Sequence, residues 1–106
     1  MSELELSSKK DFKNSIEKGI TLVDFNAPWC APCRAQEPIL DEVQRTFEGK
    51  ATIAKINIDK NQEIAIQLGI QSIPTLIVFK EGEEVTRLIG LQDAKTLDRV
   101  LNNQMK

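Results

Sequence analysis

Apolar residues along this chain fall into short runs and spaced stripes in alternation, and that alternation predicts the fold. Leu4-Glu5-Leu6 reads as a short strand. Ser7 or Ser8 then offers an N-cap, and Phe12 with Ile16 gives the apolar spacing of a helix that Gly19 ends. Ile20 to Phe25 is a mostly apolar, β-branched run of strand length, the pattern of a central strand covered on both faces. Ile39, Leu40, Val43 and Phe47 recur at helical spacing and stop at Glu48-Gly49-Lys50; Pro38 falls inside this helix and is expected to kink it. Ala51 to Ile58 reads as a second strong strand, and Gln62 to Leu68 as a short helix closed by Gly69. Thr75 to Phe79 and Val85 to Ile89 flank Lys80-Glu81-Gly82-Glu83, a hairpin signal. Asp93 caps a last helix whose inner face carries Leu97, Val100, Leu101 and Met105.

The order is β-α-β-α-β-α-β-β-α. Strands alternating with helices and closed by a hairpin predict an α/β fold: a mixed central β-sheet of about five strands, the last two antiparallel, flanked by four helices. At 106 residues, with no repeat or linker to divide it, residues 1–106 are expected to form one domain.

Charge and leader signals narrow the partners. A formal net charge of −2, with Lys and Arg scattered, gives no support for a nucleic-acid partner. No run approaches the length of a membrane span, and Met1 to Lys10 carries no apolar core of signal-peptide length. The expected home is therefore the cytoplasm, where a cysteine pair is more often catalytic or metal-binding than structural.

Both cysteines of the chain lie in Trp29-Cys30-Ala31-Pro32-Cys33, where a strand ends and a helix begins. Two thiols at this spacing close a small disulfide ring with little backbone movement. A first cysteine at a helix N-terminus has its thiolate, the nucleophile of disulfide exchange, stabilised by amide groups and the helix dipole. Pro32 suits a first-turn position, where no backbone donor is lost. Two other readings stand beside the redox one. A structural disulfide closing so small a loop contributes only about 2 kcal/mol by chain entropy. A zinc site needs four ligands, and with no histidine in the chain two copies would have to share one.

Taken together, Val23-Asp24-Phe25, Ala27-Pro28-Trp29-Cys30-Ala31-Pro32-Cys33-Arg34, Pro38-Ile39-Leu40, Lys55-Ile56-Asn57-Ile58-Asp59, Ile73-Pro74-Thr75, Gly82 and Gly90 resemble the thioredoxin family in order and over essentially the whole chain. The resemblance implies a thioredoxin fold and a protein-disulfide reductase working by reversible dithiol-disulfide exchange. In that scheme Cys30, nearer the surface, attacks the substrate disulfide, and the shielded Cys33 resolves the mixed intermediate. It implies a thioredoxin reductase and disulfide-containing proteins as partners, a monomer, no membrane, no metal and no bound cofactor, since the thiols carry the electrons.

Further residues take roles by the same resemblance. Asp24 becomes a buried carboxylate beneath the cysteines, its pKa raised by desolvation, that helps deprotonate Cys33; the alternative is a carboxylate facing solvent at a strand end. Lys55 lies near that carboxylate, or else is an ordinary outward-facing lysine. Trp29, Ile73 and Gly90 wall a substrate groove, and a cis Ile73–Pro74 bond leaves the Ile73 backbone free to pair with an extended substrate. Ala31 and Pro32, between the cysteines, tune the redox couple. Two positions depart from the family's usual pattern: Ala31 stands where glycine is common, and Asn26 where tryptophan is. They are expected to shift the reduction potential or the choice of reductase. A rival of another class is a docking role, in which the reduced fold binds a partner and electron transfer is incidental.

Overall fold

The computed structural model describes residues 4–105. Residues 1–3, part of the stretch read above for a leader, and residue 106 lie outside the described residues. Nine elements follow the predicted order: β1 (Leu4–Leu6), α1 (Lys9–Ile16), β2 (Ile20–Asn26), α2 (Ala31–Thr46), β3 (Thr52–Asn57), α3 (Gln62–Gln67), β4 (Thr75–Lys80), β5 (Glu83–Ile89) and α4 (Ala94–Gln104).

The strands form one mixed sheet in the order β1-β3-β2-β4-β5. β3 pairs parallel with β1 and β2, whereas β4 pairs antiparallel with both β2 and β5. β2 is thus central, and burial of every residue from Thr21 to Phe25 matches its unbroken apolar run. Side chains alternate across it. Val23 and Phe25 join Phe12, Ile56, Ile64 and Phe79 in one core, under α1 and α3. Leu22 joins Leu40, Val43, Leu76, Leu97 and Leu101 in the other, under α2 and α4. By the same alternation Asp24 lies on the α2 side of the sheet.

Local signals set the helix ends. Ser8 caps α1, its hydroxyl accepting from Asp11 N at 3.0 Å, and Asp93 caps α4 through Thr96 N at 2.8 Å. Pro38 sits within α2 without ending it.

The hairpin differs from expectation. Its strands extend to Lys80 and back to Glu83, leaving only Glu81 and Gly82 in the turn. Both have positive φ, 52° and 88°, as a tight two-residue hairpin requires. Glu81 is held in that conformation from outside the hairpin: its N–H donates to Gly19 O at 2.9 Å, and its carboxylate accepts from Gly19 N at 2.7 Å.

Candidate active site

The cysteines sit where β2 gives way to α2. Cys30 is the N-cap of α2, with extended backbone (φ −92°, ψ 112°), and its sulfur accepts from Cys33 N at 3.2 Å. Cys30 and Cys33 are joined in a disulfide, with Cα atoms 5.2 Å apart. The helix start therefore points one first-turn amide at the first sulfur, an arrangement that favours a thiolate over a thiol. Ala31 and Pro32 occupy the first turn, and proline there displaces no helical donor. In the disulfide form both cysteines are buried, Cys30 at 5% exposure and Cys33 at 3%. Ala27, Ile58 and Ile73 pack with them.

The Ile73–Pro74 peptide is cis, and Ile73 O lies 3.8 Å from Cys30 Sγ. Gly90 meets this turn, its N–H donating to Pro74 O at 2.8 Å. Trp29 is 67% exposed beside the cysteines, with its indole Nε1 donating to Asp59 Oδ2 at 2.9 Å. A large ring is thus held outward by a polar tether and not by packing. Arg34 donates from Nη1 to Pro28 O at 2.9 Å and closes the loop before the motif.

Asp24 is fully buried, which decides against the solvent-facing alternative. Burial pushes its carboxyl from 3.8 up to about 7. The amide of Asn26 opposes this by donating to it, nearby Glu37 pushes further up by charge repulsion, and Lys55 pulls down by attraction. Asn26 Nδ2 lies 3.3 Å from both Asp24 Oδ2 and Asp24 O. The other oxygen, Asp24 Oδ1, is buried with no hydrogen-bond partner among the described residues. Lys55 is paired with Asp24 in register across β2 and β3, and its ammonium meets Glu37 Oε2 at 3.2 Å. Lys55 is thus partly buried, ion-paired with Glu37 and near enough to Asp24 to act on its charge. A pocket of about 210 Å³ opens behind Cys33, with Asn26, Arg34, Glu37, Lys55 and Asn57 on its wall.

Three neighbours escaped the sequence reading. In sequence Asn26 shows only as a missing aromatic, although two residues along a strand places it on the same face as Asp24. Glu37 lies one helical turn past Cys33. Gln36, fully buried, falls on the stripe of Leu40, Val43 and Phe47, and a polar residue on an apolar stripe was the available signal.

The thioredoxin family model matches residues 3–103. The chain belongs to the thioredoxin family. It is 43% identical over 95 residues to the thioredoxin of Staphylococcus aureus, covering 90% of this chain and 91% of that one. Among solved structures it superposes on a mutant thioredoxin from Halobacterium salinarum with a TM-score of 0.89 at 31% identity, over 96% of this chain and 89% of that one. A thioredoxin from Plasmodium falciparum gives 0.86 at 29% identity, over 94% and 97%. Thioredoxins are protein-disulfide oxidoreductases, and this member carries the redox pair that such chemistry uses. The thioredoxin fold expected from the sequence is the one observed.

Proposed function

We propose that this thioredoxin reduces protein disulfides by a two-step exchange, with Cys30 attacking and Cys33 resolving. The Cys30 thiolate attacks one sulfur of the substrate disulfide. A mixed Cys30–substrate disulfide forms, and the first substrate thiolate leaves and takes up a proton. The Cys33 thiol gives its proton to Asp24, and the resulting thiolate attacks the Cys30 sulfur. The Cys30–Cys33 disulfide closes and the second substrate thiolate departs and takes up a proton, so two electrons have passed from the dithiol to the substrate.

The observation that carries the assignment is the helix start: only Cys30 is capped by an amide of the first turn, while Cys33 lies inside the helix above the Asp24 face of β2. Asp24, titrating at about 7, is balanced to accept and return a proton at neutral pH. The pocket beside Cys33 is polar, with Asn26, Glu37 and Lys55, the groups that act on the Asp24 charge, on its wall. Trp29, Ile73, Pro74 and Gly90 bind the substrate around the disulfide, and Ala31 and Pro32 set the balance of the couple. A thioredoxin reductase restores the dithiol. The protein works as a monomer in the reducing cytoplasm, carrying electrons without a bound cofactor.

Cys33→Ser tests the roles. With insulin as substrate it is expected to accumulate a stable mixed disulfide through Cys30 and to lose turnover, while Cys30→Ser accumulates none. Unaffected turnover in Cys33→Ser would refute the assignment.

A further inference from the structure

Gln36 carries a buried carboxamide that the exchange chemistry does not use. It lies one turn beyond Cys33 on α2 and is fully buried. Its Nε2 donates to Gln92 O at 2.9 Å, and Gln92 N donates to its Oε1 at 2.8 Å. One side chain thus satisfies both polar groups of residue 92, pairing with it as a neighbouring strand would. A buried amide without partners is strongly unfavourable, so this pairing is what makes glutamine tolerable on an apolar stripe.

The bonds continue toward the cysteines. Gln92 turns its own Nε2 back to Ile89 O at 3.2 Å and Gly90 O at 3.3 Å. Gly90 N reaches Pro74 O at 2.8 Å, and the adjoining Ile73 O faces Cys30 Sγ. The circuit closes through α2 itself, from Cys30 back to Gln36. Within it, residues 90–93 lie between β5 and α4 and are not part of either, and Gly90 has a φ of +91° that side-chain-bearing residues rarely adopt. Ile89 and Leu91 stand exposed on this segment. Past Ile89 the ladder stops at the Gly90–Pro74 bond, so the two glutamines hold the rest of the connection in shape.

We infer that Gln36, acting through Gln92, is a positioning residue that holds the 89–92 segment as a preformed wall for an extended polypeptide disulfide. The inference rests on the reductase reading above and adds what selects the substrate. A polypeptide that lies along Ile89 to Leu91 meets a wall already ordered, so its binding bears little of the ordering cost. A small disulfide touches only the sulfurs and gains nothing from the wall.

The test compares wild type, Gln36→Met and Gln92→Ala on insulin and on a small aromatic disulfide. Methionine keeps the volume of Gln36 and removes both bonds. Gln92→Ala keeps the Gln36 pairing with the backbone and removes only the inner bonds, so it remains informative if Gln36→Met folds poorly. KM for insulin is expected to rise about ten-fold in Gln36→Met, the scale of one buried hydrogen-bond partner lost. It should rise less in Gln92→Ala. In both, kcat on insulin and the rate with the small disulfide should stay within about two-fold, and amide exchange at residues 90–92 should quicken. An unchanged insulin KM in both variants, or equal losses on the two substrates, overturns the inference while leaving the exchange reaction intact. A wild-type protein inactive on both substrates would remove the reductase reading and this inference with it.

Discussion

Replacing Asp24 with asparagine should stabilise the protein at neutral pH while slowing its chemistry. The carboxyl titrates at about 7 in the folded chain against 3.8 for an ordinary aspartate, chiefly because burial strips water from the charged form. Below about pH 4 the group is protonated in both folded and unfolded chains and contributes nothing to pH dependence. Between about 4 and 7 the folded chain holds a proton that the unfolded chain has released, so stability falls as pH rises. Above about 7 both are ionised and the loss is complete. At about 1.4 kcal/mol per tenfold change in proton affinity, a carboxyl moved from 3.8 to about 7 amounts to about 4 kcal/mol. That is a large share of the 5–15 kcal/mol or so by which a typical domain is stable. Asn keeps the shape, and its side-chain oxygen can still accept from the Asn26 amide, so the variant should lack the slope. Urea denaturation of the oxidised protein from pH 4.5 to 8.5 measures it. Wild type and variant should be near-equal at the acid end, and the variant more stable by several kcal/mol at the alkaline end. Resolution of the Cys30 mixed disulfide in the same variant should slow at neutral pH. A stability difference that stays constant across the range would refute the buried-charge argument, and an unchanged resolution rate would remove Asp24 from the mechanism.

Asn26→Ala removes the amide that donates to Asp24 Oδ2, and the Asp24 pKa should then climb above its present value of about 7. A carbon-13 titration of the Asp24 carboxyl reads this directly, and a fall or no change would show that the amide does not support the ionised form. Phe12→Ala should cost about 3–5 kcal/mol in urea denaturation, as for a buried ring lost without collapse of its site. The ring stands edge-on to Phe25 at 6.2 Å and to Phe79 at 5.5 Å between α1 and the sheet, and a loss under about 1 kcal/mol would mean that this core refills.

The elements that were easy to read are those in which one signal dominates. β2 and β4 are apolar on both faces, which only a central strand can satisfy, and α2 and α4 carry stripes with capping residues at their starts. The hairpin strands were read short because Lys80, Glu83 and Glu84 have weak strand propensity; pairing across the sheet overrides it. Strand order was not legible at all. It depends on crossovers through α1 and α2, which place β3 between β1 and β2, and no local pattern records that. In the site, Asp24 stood out as a charge in an apolar run. Gln36 carries a similar signal on a helix, but its meaning depends on a backbone 56 residues away. Glu37 and Asn26 look like ordinary polar residues until the fold sets them around one carboxyl.

The geometry also decides where the rate advantage lies. Taking a cysteine from a pKa of about 8.5 to about 7, the value known for thioredoxins as a family, raises the thiolate fraction at pH 7 roughly fifteen-fold. The more stable thiolate is a poorer nucleophile by about five-fold, leaving a net gain of only about three-fold. The amide cap on Cys30 is therefore a modest accelerator of attack. Its larger effect is on leaving: a Cys30 thiolate stabilised by the helix start is readily expelled from a mixed disulfide when a second thiol attacks the partner's sulfur. Resolution has a different source of speed. Cys33 is held with its Cα 5.2 Å from that of Cys30, so its attack is intramolecular and the effective concentration of thiol is very high. In the proposed exchange that step also needs the buried Cys33 thiol to give up its proton. With a carboxyl titrating at about 7 on the face beneath, Asp24 is expected to matter more to release of reduced substrate than to its capture.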